Sequence, residues 1–181
     1  MSGKRRGTLV LLVVLVLVFG FNNVTFGFSG KGSGTETDPY QITDWGELNE
    51  VRNDLVAHYK LMGNLSSSTD GYDDYVDTAD GWDPIGYRTY EVGTEFTGTF
   101  DGQGHVIENL YIDRDGLAGY YVGLIGYTSG ATIKNLKLED VDITGDRNVG
   151  GLIGRAFDTE VLNCHSSGTV QGSYDGQPGN D

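Results

Sequence analysis

The chain has 181 residues and an acidic composition, with 26 aspartates and glutamates against 12 lysines and arginines and a formal net charge of −14 at pH 7. Such a surface repels phosphates, so nucleic acids and anionic membranes are excluded as partners. The 29 glycines and only 3 prolines indicate turns that are built on glycine. Cys164 is the single cysteine, so no intrachain disulfide can form, and we expect a buried, unreactive thiol.

The first 29 residues have the pattern of a secretory signal peptide. Three basic residues at 4–6 precede an apolar run over 9–21, and small residues follow at Gly27 and Ser29. An uncleaved membrane anchor is the alternative, although the apolar run is shorter than the roughly 18–20 residues of a span. Cleavage near Ser29 leaves 9 lysines and arginines (12 − 3) against 26 acidic residues, a charge of −17. We therefore predict that residues 1–29 are a signal peptide and that the protein is secreted or on the cell surface, touching membranes only during export.

A short linker and one helix precede the main run of strands. Residues 30–38 are rich in glycine and threonine and are predicted to form a linker into a domain of residues 39–172. A helix is predicted over 44–55, because residues 44 and 47 have capping-box spacing and apolar residues follow at helical spacing, Trp45, Leu48, Val51 and Leu55. We interpret this helix as a cap, since the end units of stacked folds need covering.

An acidic loop over residues 66–83 follows a predicted strand over 59–65. It carries six aspartates, Asp70, Asp73, Asp74, Asp77, Asp80 and Asp83. Their oxygens could bind calcium, but the spacing does not match the twelve-residue calcium loop, so a solvated acidic loop is the competing interpretation. The loop also carries aromatic residues that either form a carbohydrate-stacking surface or pack over the first strands, Tyr72, Tyr75 and Trp82. No cofactor other than calcium is indicated.

An internal repeat with a period of 28 residues (151 − 123) occupies the second half of the chain. The sequence Gly-Leu-Ile-Gly at 123–126 returns at 151–154. Each copy precedes a β-branched residue, any residue and asparagine, at 133–135 and 161–163, and a similar triplet lies upstream at 107–109. A period of 20–50 residues is typical of folds whose units cannot bury their apolar face alone and stack on their neighbours.

The segments within each repeat are predicted to be strands. Apolar and polar residues alternate over much of 106–113 and 132–139, and no apolar pattern of helical length separates them. Short strands, glycine punctuation and this period predict an all-β fold, a parallel β-helix with one turn per repeat. Asparagines at equivalent places would then stack as an amide ladder at a bend, Asn109, Asn135 and Asn163. The alternative is three independent turn residues.

Further motifs carry a family resemblance. The chain has Gly-x-Gly-Thr-x-x-Asp-Pro-Tyr over 32–40, Trp-x-Pro-Ile-Gly over 82–86 and Phe-x-Gly-Thr-Phe-Asp-Gly-x-Gly-His over 96–105. With the two Gly-Leu-Ile-Gly copies, this pattern resembles the GLUG-motif proteins from Gly32 to about Gly172. These are secreted or surface proteins of bacteria and archaea. The resemblance implies a right-handed β-helix-like solenoid, often within much longer chains, and implies no activity. GLUG repeats also accompany the peptidase domain of some immunoglobulin A proteases, but no zinc-peptidase pattern occurs in this sequence.

A search for catalytic motifs finds no site. The histidines His58, His105 and His165 form no His-Glu-x-x-His zinc motif, no Gly-x-Ser-x-Gly occurs, and no helix follows Gly102-Gln103-Gly104 to hold a phosphate. We therefore predict no catalytic, cofactor-binding or metal-binding residues, and a protein that is not an enzyme. The expected function is a non-catalytic secreted or cell-surface module in adhesion or envelope structure, with an extracellular glycan or protein as its ligand. The alternative is a polysaccharide-active enzyme or a carbohydrate-binding appendage on the same scaffold.

The last residues of the sequence, 173–181, have no apolar face. We expect them to be a flexible or truncated tail that cannot cover the strand before it. An uncovered strand edge favours association with another strand. The sequence therefore predicts end-to-end stacking on further repeats or on a partner.

Overall fold

The fold is seen in a computed structural model, which describes residues 27–86, 94–114 and 120–173. Over these ranges the chain is mostly β, as the sequence predicts, with two short α-helices and one 3-10 turn. Residues 1–26 of the predicted signal peptide and residues 174–181 of the predicted tail lie outside the described residues. Within the described ranges, no helix is long and apolar enough to span a membrane.

Thirteen short strands make up the described part of the fold. They are β1 Tyr40–Ile42, β2 His58–Leu61, β3 Thr99–Asp101, β4 Val106–Glu108, β5 Tyr111–Asp113, β6 Tyr120–Val122, β7 Ile125–Ser129, β8 Thr132–Lys134, β9 Lys137–Gly145, β10 Arg147–Val149, β11 Ile153–Phe157, β12 Glu160–Leu162 and β13 His165–Gly172.

Left-handed asparagines divide the segments that the sequence predicts as single strands. The predicted strand over 106–113 is two strands, β4 and β5, with a bend at Asn109, whose φ is 62°. The predicted strand over 132–139 is likewise divided at Asn135, whose φ is 53°, into β8 and the start of β9. Asparagine tolerates this backbone region better than most residues, which is why it stands at these bends.

Every pairing between the named strands is parallel. One sheet has the order β1-β2-β3-β8-β12, and a second has the order β4-β9-β13 with β5 also beside β9. The strand pairs β6–β10 and β7–β11 form two smaller sheets. Strands distant in sequence therefore lie side by side, as parallel pairing requires.

The repeat found in the sequence is the spacing at which the last strands pair. Ile125 lies opposite Ile153, Thr132 opposite Glu160 and Lys137 opposite His165. Each of these pairs is separated by one repeat of 28 residues. We call residues 120–145 the penultimate layer and residues 147–172 the terminal layer, because the second lies on the first along its whole length.

The core lies inside the layers before the terminal one. Its largest fully buried side chains are aromatic, Trp45, Trp82, Tyr59, Phe96 and Phe100. On the neighbouring strands Ile133 and Ile143 are completely buried. In the terminal layer, by contrast, every residue of β12 and of β13 is exposed. The core therefore ends at the boundary between the two last layers.

The predicted helix is present but shorter than expected. Helix α1 spans Trp45–Glu50 and passes into a 3-10 turn over Val51–Asn53. The Asp44 carboxylate accepts a hydrogen bond from the Glu47 amide at 2.8 Å, so the predicted N-cap is confirmed, while the Glu47 carboxylate accepts from the Thr43 amide. The helix ends early because the buried Tyr59 hydroxyl donates to the Asp54 carbonyl at 2.8 Å, which holds residue 54 in a non-helical conformation.

The outer edge of β1 is covered by the segment that precedes it. The Gln41 amide donates to the Lys31 carbonyl at 2.8 Å in an antiparallel bridge. The His58 amide donates to the Gly34 carbonyl at 2.9 Å, and the ring of Phe28 stacks on Tyr40 with centroids 4.5 Å apart. Residues of the predicted linker thus occupy the edge at which a further parallel strand would otherwise pair.

Candidate functional site

The acidic loop folds around a short helix, α2, which spans Tyr72–Tyr75. Residues 67–74 line a polar depression of about 320 Å³ on its surface. Within the described residues, however, no three histidine, cysteine, aspartate or glutamate side chains come together in a group that could hold a metal ion. A calcium site in this loop stays a prediction, and the structure supplies no converging set of carboxylates for it.

One aspartate of the loop, Asp83, serves as an ion-pair partner. Its carboxylate lies 2.8 Å from Arg52 Nη1 and 3.1 Å from Arg114 Nη1. The Arg52 guanidinium also lies over the Trp82 ring, 5.2 Å from its centroid. Burial lowers the pKa of Arg52, and the negative charge of Asp83 opposes that shift. Asp83 thus ties the 3-10 turn to the residue that follows β5.

The aromatic residues of the loop are packing residues where the structure buries them. Trp82 is fully buried, and its indole Nε1 donates to the Leu124 carbonyl at 3.1 Å. The half-buried Tyr72 donates its hydroxyl proton to the Asn109 carbonyl at 2.9 Å. Of the two interpretations of these aromatics, packing therefore applies to Trp82, which lies against Trp45 with ring centroids 5.8 Å apart and has no surface free for a sugar ring.

The glycine turn before β4 is engaged in the fold. The amides of Gly102 and Gly104 donate to the carbonyls of Lys134 and Asn135, each at 2.8 Å. These amides are thus unavailable to a phosphate.

The histidines lie apart in the chain's strands and turns, His58 in β2, His105 directly before β4 and His165 in β13. Cys164 is half-buried rather than buried, because it lies in the terminal layer just after β12.

The repeated Gly-Leu-Ile-Gly motif is a site of close backbone approach. A Cβ on Gly126 would lie 2.5 Å from the Tyr121 carbonyl oxygen, and one on Gly123 would lie 2.7 Å from the Gly150 carbonyl oxygen. In the second copy, a Cβ on Gly154 would lie 2.6 Å from the Asn148 carbonyl oxygen, and one on Gly151 would meet Ser166 Oγ. None of these four glycines has a left-handed φ, so glycine is needed for space at 123, 126 and 154, where backbone atoms stand in the way, whereas a Cβ on Gly151 would meet only side chains.

A ladder of side-chain hydrogen bonds runs from the terminal layer through the penultimate layer to the end of strand β3. Asn163 Nδ2 donates to Asn135 Oδ1 at 3.2 Å, and Asn135 Nδ2 donates to Asp101 Oδ1 at 3.1 Å. The predicted pairing of Asn135 with Asn163 is confirmed. The third member is Asp101, because β3 pairs with β8 and brings the end of β3 beside the Asn135 bend.

The predicted place of Asn109 in this ladder is wrong. Glu108 pairs with Glu139, so Asn109 follows in register with Asp140 in the other large sheet. Both residues have left-handed backbones, with φ of 62° and 52°. The three asparagines look equivalent in sequence because all three occupy left-handed bends, a preference that does not depend on which sheet the bend belongs to.

Asp101 gives the ladder a direction. Burial acts to raise the pKa of Asp101, but hydrogen bonds from the Gln103 amide and from Asn135, together with the charge of Lys134, lower it below the ordinary value. An ionised carboxylate only accepts hydrogen bonds, so every amide in the row donates toward Asp101. At the other end, Asn163 Oδ1 accepts no hydrogen bond from any described residue.

The terminal layer exposes the side chains that are buried one repeat earlier. Val161 is 45% exposed and Val170 is 44% exposed, whereas their partners Ile133 and Ile143 are completely buried. Phe157 at the end of β11 lies opposite the polar Ser129 and adds a further apolar side chain, which is 62% exposed. The apolar pattern of the layer therefore continues to its outer face, where no described residue covers it.

Residues 145–171, which coincide with this terminal layer, match the family model of the GLUG motif. The chain contains a GLUG motif. The resemblance stated from the sequence is thereby confirmed, with the family model covering the second of the two Gly-Leu-Ile-Gly copies. At Gly154, as at Gly123 and Gly126 of the first copy, backbone atoms approach more closely than a Cβ would allow, which explains why the motif has glycine there.

Two curated proteins are similar over most of this chain. Halomucin of Haloquadratum walsbyi is 36% identical over 148 residues, which are 79% of this chain and 2% of halomucin. A protein of Evansella cellulosilytica, provisionally named a Gly-rich membrane protein, is 26% identical over 140 residues, which are 76% of this chain and 14% of that protein. The chain thus spans a small fraction of the length of these relatives. No solved structure matches it.

Proposed function

We propose that this chain is a non-catalytic repeat module of a secreted or cell-surface protein, and that its layers are the turns of a right-handed parallel β-helix-like solenoid. The observation that carries the proposal is the GLUG segment, residues 145–171, which pairs in parallel with the preceding segment at a spacing of one repeat. Stacking of identical units into a rigid rod is what such repeats accomplish physically.

The relatives support the proposed location. Halomucin and the Gly-rich membrane protein point to a surface or envelope protein. The acidic composition, with a net charge of −14, supports a role in contact with solvent, because the negative surface keeps the module soluble and apart from anionic lipid. Within that location, we propose a role in adhesion or in the structure of the envelope.

The location is tested in cells of the source organism that produce the chain with an epitope tag after residue 181. We expect the tag in the culture medium or on the cell surface, where protease added to intact cells removes it. A tagged cytoplasmic protein is the control and should survive the same treatment. A tag that stays protected in intact cells and is released only by lysis would contradict the proposal.

Adhesion and envelope structure are separated by a second measurement. Beads coated with residues 30–181 are mixed with cells of the source organism and washed, beside beads coated with an unrelated protein of equal negative charge. Retention of the first beads alone supports adhesion. Equal loss of both, together with a weakened envelope in cells that lack the chain, supports envelope structure. If both kinds of beads are washed away equally and the envelope of cells that lack the chain is unaltered, both roles are contradicted.

A further inference from the structure

We propose that the outer face of the terminal layer binds a further GLUG-type layer, a repeat unit that brings an asparagine amide to Asn163 and continues the ladder. The inference rests on the proposed solenoid and adds to it the occupant of this face and the contact that selects it. Its basis is threefold: among the described residues, none covers the apolar surface of this layer, none pairs with its outer strand edge, and none donates to Asn163 Oδ1.

The apolar part of the face repeats a surface that is already seen covered. Ile133 of the penultimate layer is buried beneath β12, and its equivalent on the terminal layer, Val161, is 45% exposed. Ile143 is buried beneath β13, and its equivalent Val170 is 44% exposed. A layer with β-branched or leucine residues at the same repeat positions would cover both side chains as this layer covers the one before it.

The backbone edge of β12 is arranged for a parallel partner. The Glu160 amide donates to the Ala131 carbonyl at 2.9 Å, and the Leu162 carbonyl accepts from the Asn135 amide at 2.9 Å. These two residues therefore face the penultimate layer. Because successive residues of a strand alternate in direction, the N–H and C=O of Val161 point away from it, toward the open side.

The ladder specifies what must arrive beside that edge. Asn163 donates to Asn135, which donates to Asp101, so the unmatched atom at the outer end is the acceptor Asn163 Oδ1. The next layer must place a donor there. An asparagine one repeat beyond Asn163 supplies it with the geometry that Asn163 itself uses toward Asn135.

The same features argue against a second copy of this chain as the occupant. A copy related by a two-fold axis would present the same face, on which the ladder ends in an acceptor, so its ladder would bring no donor to Asn163 Oδ1. A copy arranged head to tail would have to offer the edge of β1, where the Gln41 amide already donates to Lys31. A GLUG-type layer whose own strand edge is uncovered could pair with β12 and could also place an asparagine donor beside Asn163.

The probe is a tandem variant, the full chain with a second copy of residues 146–173 inserted after Ser173. The readout is the amide hydrogen exchange of Val161. We expect the added layer to slow that exchange by about tenfold or more, because the amide gains a hydrogen-bond partner in a packed layer. A matched variant has glycine in the inserted copy at the asparagine that corresponds to Asn163, because glycine keeps the left-handed bend and removes only the amide, and in it we expect much of the protection to be lost.

Exchange of the Ile133 amide separates failure of this inference from failure of the solenoid. In the parent chain this amide faces β12 and should already be protected. If it exchanges as a free amide, the layered solenoid itself is wrong. If it is protected and Val161 gains nothing in the tandem variant, the docking inference alone is overturned.

Sedimentation of the parent chain completes the test. We expect a monomer at micromolar concentration, with the Val161 amide exchanging freely. A dimer in which that amide is protected would show that a second copy occupies the face, and it would overturn the inference.

Discussion

Replacing Asn135 by glycine removes the centre of the side-chain ladder and leaves the backbone as it is. Asn135 accepts from Asn163 Nδ2 at 3.2 Å and donates to Asp101 Oδ1 at 3.1 Å. Glycine adopts the left-handed φ of 53° at this position without strain. The variant Asn135→Gly therefore loses two hydrogen bonds, one of them to a carboxylate.

The expected loss follows from the character of the two bonds. A neutral hydrogen bond contributes about 0.5–1.5 kcal/mol and one to a charged group about 1.5–3 kcal/mol. Because the ladder is only half-buried, the lower values apply, and we expect about 2 kcal/mol of lost unfolding free energy. Asn135→Leu should lose a further amount of about 1–2 kcal/mol, because leucine is strained in the left-handed region.

Asn109→Gly is the matched control. It makes the same replacement at another left-handed asparagine, with φ of 62°, outside the ladder. Any effect of the added chain freedom of glycine appears in both variants and is removed by subtraction. The measurement is urea unfolding followed by the fluorescence of the buried Trp45 and Trp82. If both variants unfold at the same urea concentration, the ladder contributes nothing and the asparagines act as independent turn residues.

Three further predictions concern the motif glycines and the charged groups. Gly126→Ala should reduce the unfolding free energy by about 2 kcal/mol, because the added Cβ meets backbone oxygens. The control Gly63→Ala, whose Cβ has no atom within 4 Å, should stay within about 0.5 kcal/mol of the wild type. Equal urea midpoints for the two variants would contradict the packing role of Gly126. The lowered folded-state pKa of Asp101 stabilises the fold above the unfolded pKa, and that contribution is lost as pH falls through the folded pKa. Asp101→Asn should therefore be less stable than wild type at pH 7, with the difference closing in acid; a difference that does not change with pH would refute this. Asp83→Asn should lower the melting temperature more in dilute buffer than in 1 M salt, because the Asp83 carboxylate is 62% exposed and salt screens its attraction to Arg52; a loss of equal size at both salt concentrations would contradict a screened ion pair.

Much of the strand architecture could be predicted because its signals are local. The period of 28 residues (151 − 123) appears directly in the Gly-Leu-Ile-Gly copies, and the structure pairs Ile125 with Ile153 at that spacing. The sequence also indicated that the motif requires glycine. It did not show whether glycine is needed for space or for a backbone angle, which became clear only from the atoms that surround Gly126. The helix start at Asp44 was readable from its cap, whereas its early end depends on the distant Tyr59 hydroxyl.

The sequence by itself determined the repeat period and the alternating strands, since each depends on local patterns of residue type. Only the tertiary structure decided which bends lie in one row. Asn109 has the same local signal as Asn135, yet the pairing of Glu108 with Glu139 places it in another sheet, and Asp101 takes its place in the ladder. The same is true of Trp82, whose burial is set by contact with Leu124 across the fold. Such contacts join residues far apart in the chain, and local sequence patterns carry no record of them.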